Sequence, residues 1–192
     1  DALVVDVGGT TTDLALIKEG EVTISEDGAA VSGYKTSVKA ANLLSIGLGG
    51  DSHITQDREG NVIIGPERVV PLAYLAEQHP KISKRLKTLT QKTWPPPSPN
   101  WLEYWFLLRE PQNQKILQSN REKELVKILR AGPRSIPDLL DELGLFHRNQ
   151  LGADELLRQE IIGKAGLTPT DLLHIDGRYK LWNADASQYG LK

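Results

Sequence analysis

The run Asp6-Val-Gly8-Gly9-Thr10-Thr11-Thr12-Asp13 sets two carboxylates around two glycines and three threonines. A phosphate group is bulky and strongly anionic, so a protein that grips it needs free backbone N–H groups, no β-carbons in the way, and hydroxyls as further donors. Gly8, Gly9, Thr10, Thr11 and Thr12 meet all three needs. If the run is a hairpin tip, Asp6 closes one strand and Asp13 opens the next, and both carboxylates reach the same edge. There they can hold Mg2+, largely through water, or orient a water that attacks a terminal phosphate. A tight turn needing φ > 0 accounts for the glycines alone and leaves the threonines and aspartates without a role.

A second turn of related composition follows in SIGLGGDSHI, with Gly47, Gly49, Gly50, Asp51 and Ser52. It is not a P-loop, which requires GxxxxGK followed by Ser or Thr, and the GxGxxG fingerprint fails at Ser52. Other chemistry is sparse. The absence of Cys excludes a thiolate nucleophile, a disulfide scaffold and a sulfur-bound zinc. His53, His79, His147 and His174 form no HxH or HxxxH pair, and a surface position is expected for His53. Ser52 has no neighbouring Asp–His arrangement that would favour a serine hydrolase.

The elements that position these turns are short. ALVVD, DLALI, EVTIS, LLSI and VIIG, separated by KEGE and DREGN, predict hairpins in a sheet over residues 1 to 65. Ten carboxylates face four basic residues in that segment, an acidic rim that suits a metal ion better than a bare anion. From Pro71 to Lys92 the spacing of Leu72, Leu75, Ile82, Leu86 and Leu89 predicts helix, with Lys81, Lys84, Arg85 and Lys87 on its solvated side. TWPPPSPNW, 93 to 101, forbids helix interior and predicts a rigid linker between a domain over 1–92 and another over 102–192. The aromatics of WLEYWFLL then pack between the two.

In the second part, REKELVKILRAG and SIPDLLDELG predict capped amphipathic helices and ADELLRQEIIGKAG a third. In LTPTDLLHIDG, Thr168 is the expected N-cap, Pro169 the first helical residue and Asp171 an acceptor for free N–H groups, with Asp171 and Asp176 capping and solubilising the helix. GRYKLWN predicts a final strand. Three helices and a strand outline a winged helix, yet residues 110 to 150 hold seven Lys or Arg against six Asp or Glu, so a structural or interaction role is preferred to nucleic-acid reading.

DVGGTTTDLALI resembles the phosphate motif of the actin, sugar-kinase and heat-shock-chaperone ATPase superfamily. With SIGLGGDSHI, VIIGPERV (62 to 69) and LTPTDLLHIDGRYKLWNADAS (167 to 187) in the same order, the chain resembles the hydantoinase/oxoprolinase family over residues 1–70 and 160–190. The resemblance implies an α/β, actin-like (ribonuclease H-like) ATPase lobe with a β-hairpin sheet, plus a small helical, winged-helix-like module. It implies ATP-driven hydrolysis of a cyclic amide, hydantoin or 5-oxoproline, with ATP and Mg2+ as cofactors. The Gly8–Thr12 turn would bind the terminal phosphates, Asp6 and Asp13 would organise Mg2+ and water, and Gly49, Gly50, Asp51 and Ser52 would border the nucleotide. The rival readings are an actin-like small-molecule kinase and a nucleotide-switched regulatory or interaction protein.

The version DVGGTTTD followed by a GGDS-type turn resembles the second lobe of such ATPases, so a missing first lobe is the expected partner, with a second subunit as a further one. Zero Met in a chain beginning DALVVDVGG agrees with a portion of a larger protein. No run reaches the eighteen or so apolar residues of a membrane span and no signal-like segment opens the chain, so a cytoplasmic location is expected.

Overall fold

The computed structural model describes residues 1–25, 30–31, 34–35, 40–57, 59–91, 101–113 and 116–192. It is a mixed α/β chain of small sheets and short helices. Strand β1 (Ala2–Val7) turns back at the glycine run into β2 (Thr12–Lys18), and the antiparallel ladder sets Asp6 opposite Asp13 and Val7 opposite Thr12. On its other side β2 pairs with β3 (Glu21–Val22) and β8 (Leu43–Ile46). Between those lie the two-residue strands β4 (Ile24–Ser25), β5 (Ala30–Val31), β6 (Tyr34–Lys35) and β7 (Ala40–Ala41), paired as β4–β7 and β5–β6. Strands β9 (Ser52–Gln56) and β10 (Val62–Arg68) form a separate ribbon.

The expected helix after Pro71 is two: α1 (Leu72–Gln78) and α2 (Lys81–Thr90), divided at His79-Pro80. Pro80 lacks the N–H that a continuous helix would need and restricts the residue before it to extended backbone. The proline run 93–100 lies outside the described residues. Strand β11 (Val70–Pro71) runs parallel to β14 (Ile162–Gly166), which pairs antiparallel with β12 (Tyr104–Leu107), itself beside β13 (Arg134–Ser135).

Helix α4 (Ile136–Glu142) begins where the sequence places it, at Ser135, and α3 (Asn120–Arg130) begins at Ser119, each hydroxyl accepting the N–H of the residue three positions on. The third helix is shorter than expected. α5 (Asp154–Arg158) stops before Glu160, which takes φ 52, and the rest of the segment becomes β14. The left-handed residue ends the helix, and Gly163, where a β-carbon would stand 2.6 Å from the tip of the Phe106 ring, lets the ribbon close. GRYKLWN forms no strand; after α6 (Pro169–Ile175) it is an irregular turn that folds Tyr179 and Trp182 onto His174, and α7 (Ala184–Leu191) follows.

Among the described residues two apolar cores result. One gathers Trp105, Leu125, Leu129, Ile136, Leu139, Leu156 and Ile162 under α3, α4 and α5. The other joins Leu72, Leu75, Ile82 and Leu86 to Tyr104, Ala165, Leu167 and Ala186, residues from both sides of the proline run. Strand alternation sends Tyr104 and Trp105 into different cores. Among the described residues no helix is long and apolar enough to cross a membrane.

Candidate functional site

At the β1–β2 tip the N–H of Gly8 donates to the Thr11 carbonyl at 2.9 Å, closing a four-residue loop. Among the described residues the N–H groups of Gly9 and Thr10 have no protein acceptor, which leaves them available to an anion. The Asp6–Asp13 pairing brings both carboxylates to the mouth of this loop, and the Thr11 hydroxyl donates to Asp13 Oδ2 at 3.3 Å.

Thr12 differs from its neighbours. Its side chain is buried, and its hydroxyl donates to the Leu48 carbonyl at 2.6 Å, so it ties the two glycine turns together instead of facing a ligand.

The turns dock backbone to backbone. Gly50 N–H donates to the Gly8 carbonyl at 2.9 Å and Asp51 N–H to the Gly9 carbonyl at 2.8 Å. A β-carbon on Gly49 would stand 2.6 Å from the Gly8 oxygen, so only glycine permits the approach. Gly49 N–H donates to the buried Ser52 hydroxyl at 2.8 Å, which shapes the second turn from within. Asp51 Oδ2 is held by Arg68 Nε at 3.2 Å and Nη2 at 3.0 Å. Gly8 to Thr11 and Gly49 to Ser52 are therefore one continuous backbone unit beside the Asp6–Asp13 pair, with Thr12 and Ser52 as its internal braces.

Helix α6 is the third layer. Thr170 gives both its N–H (2.9 Å) and its hydroxyl (2.8 Å) to the Gly50 carbonyl. The capping box expected at Thr168 and Asp171 is present, but Asp171 does more than cap and is fully buried instead of solubilising the helix. Its Oδ2 accepts from Leu72 N–H and from Thr168, and its Oδ1 from Ala73 N–H at 2.8 Å and the Ser187 hydroxyl at 2.7 Å. One carboxylate thus fastens the starts of α1, α6 and α7. Burial pushes its pKa up, and the hydrogen bonds from Ala73, Ser187, Thr168 and Leu72 oppose that.

His53 corrects a second expectation, because it is buried. Its Nε2 side lies against Gly166, and its Nδ1, without a hydrogen-bond partner, stands 3.6 Å from Glu67. Glu67 is also paired with Lys164, and the neighbouring His53 and Lys164 hold its carboxyl down at about 2. Sequence reasoning missed Glu67, Lys164 and Thr170, whose partners lie far away along the chain.

Residues 1–72 match the hydantoinase/oxoprolinase family. That family segment contains both glycine turns, both aspartates of the hairpin and the Asp51–Arg68 pair. No curated protein matches the chain. A nucleotide-free structure of acetone carboxylase, described under the mechanism of ATP-dependent acetone carboxylation, is 23% identical with a TM-score of 0.33, covering 82% of this chain and 20% of that one. The chain thus spans about a fifth of that protein's length.

Proposed function

We propose that the chain is the phosphate-binding lobe of an ATP-dependent enzyme that opens a cyclic amide of the hydantoin or 5-oxoproline type. The observation that carries this is the facing pair Asp6 and Asp13 at the mouth of a loop whose Gly9 and Thr10 N–H groups lack protein acceptors, inside the segment that matches the family. On this reading the lobe is actin-like, residues 102–192 are a winged-helix-like interaction module, and the enzyme works in the cytoplasm with a first lobe and a second subunit.

The residues present fit both cofactors. Mg2+ keeps several waters and takes one or two carboxylates plus phosphate oxygens, and two facing aspartates supply that set. Among the described residues no group of three or more His, Asp or Glu is built to enclose a metal. ATP, when bound, supplies the phosphoryl group that activates the amide oxygen and makes the ring carbon attackable. The chain's own part is electrostatic and positional. The Gly9 and Thr10 N–H groups with the Thr10 hydroxyl would hold phosphate oxygens, the Thr11 hydroxyl orients Asp13, and Asp6 and Asp13 would organise the cation and its waters. Gly49 to Ser52 keep the loop in shape.

The test is Mg2+-dependent ATP binding by the 192-residue chain, measured calorimetrically beside Asp13→Asn. We expect weak binding that falls at least tenfold in the variant with an unchanged circular-dichroism spectrum. Equal binding by the variant removes the carboxylate pair from the function.

A further inference from the structure

A cleft of about 550 Å3 opens between the β10–α1 edge and the β12–β14 ribbon. That volume falls in the range of small-molecule sites, which favour such seams between packed bodies. Its walls include Tyr74, Phe106 and Trp182. Tyr74 and Trp182 meet nearly at right angles, 78° with centroids 5.1 Å apart, and make an aromatic corner. His174 stacks on Trp182 at 5.3 Å and fixes the indole in place.

The charges of the cleft are unequal. Arg68 is neutralised by Asp51 and Lys164 by Glu67. Glu160 remains, and among the described residues its carboxylate has no partner. The cleft therefore presents an aromatic corner and one spare negative charge, and both groups attract the same kind of ligand. The π-face of Trp or Tyr favours an organic cation, which a carboxylate at the rim neutralises. An anion would meet Glu160 without a free cation to offset it.

We infer that this cleft binds a small organic cation of the alkylammonium class, with Trp182 and Tyr74 against its methyl or methylene groups and Glu160 against its charge. The cleft shares Asp51 with the second glycine turn, and ATP does not enter its test.

Choline serves as the probe, with 3,3-dimethylbutan-1-ol as its neutral isostere and benzoate as an anionic aromatic. Binding to the 192-residue chain is followed by the shift of the Trp182 indole N–H resonance. Choline should saturate that shift, bind at least tenfold more tightly than the alcohol and outcompete benzoate. Glu160→Gln, at an exposed position, should weaken choline at least fivefold without moving the thermal midpoint. Absence of a saturable choline shift, equal affinity for the alcohol, preference for benzoate, or unchanged affinity in Glu160→Gln would each overturn the assignment.

Discussion

A β-carbon on Gly49 would meet the carbonyl oxygens of both Gly8 and Gly9 at 2.6 Å, and these are backbone atoms that cannot swing aside. Gly49→Ala should therefore push the two turns apart, destabilise the chain by about 1–3 kcal/mol, and weaken ATP binding together with stability. A lowered thermal midpoint with unchanged ATP affinity would show that the docking of the turns does not shape the loop. Glu67 supplies a pH prediction with a definite sign. Its folded pKa, about 2, lies below the ordinary 4.5, so its contribution is present above the ordinary value and is lost as acid is added between the two. At a half-exposed carboxylate, solvent screening reduces this to about 1 kcal/mol. Glu67→Gln should flatten the acid limb of the stability curve over that window, as followed by urea titration at stepped pH. The Asp6–Asp13 pairing was legible in sequence because strand period and turn length fix who faces whom. The burial of His53 was not, because Gly166 and Glu67, which enclose it, are brought to it only by the parallel β11–β14 pairing and the β9–β10 ribbon.

Among the elements, α1, α6 and α7 share one fastener. Asp171→Ala would leave Leu72 N–H, Ala73 N–H, Thr168 and Ser187 without their acceptor, and a buried donor without a partner is expensive. We expect a loss of about 3 kcal/mol or more from Asp171→Ala and about 1 kcal/mol from Ser187→Ala, read from the denaturation midpoint. Two nearly equal losses would mean that the helix starts are not held through Asp171. Its pH response runs opposite to that of Glu67. Burial raises its folded pKa, so holding its charge detracts from stability as pH rises through the ordinary and then the folded value. Helices opening at Ser135 and Thr168 could be read from the sequence because the cap chemistry is local. The end of α5 could not, since ELLRQEII suits either helix or strand by its apolar spacing, and pairing with Phe106 and Leu107 decides the outcome. The predicted strand at GRYKLWN failed for a related reason: its aromatics found His174 before any ladder partner.

For the molecule as a whole, the N-terminal sheet has an unusual surface. Leu3, Val5 and Val7 alternate on one side of β1, Val4 lies on the other, and Leu43 and Leu44 of β8 are also exposed, each by 45% to 65%. Sheets that are apolar on both faces normally lie between other layers. The 192-residue chain should accordingly bind a hydrophobic dye and self-associate as its concentration rises, while Leu3→Lys with Val7→Lys should reduce both effects and leave the helical cores intact. A monomer by sedimentation at high concentration, without dye binding, would contradict this. The helical cores need no such cover, because α3, α4 and α5 enclose theirs and α1, α2, α6 and α7 enclose the other.

Thr170 and Asp171 are neighbours in the chain but hold different elements. Thr170 grips Gly50, which in turn grips Gly8, while Asp171 grips the three helix starts. A single peptide unit is therefore the fulcrum between the loop that would hold phosphate and the core that holds the helices. Any tilt of α6 about that point must tug on the glycine turn, and any tightening of the turn must be felt at the helices.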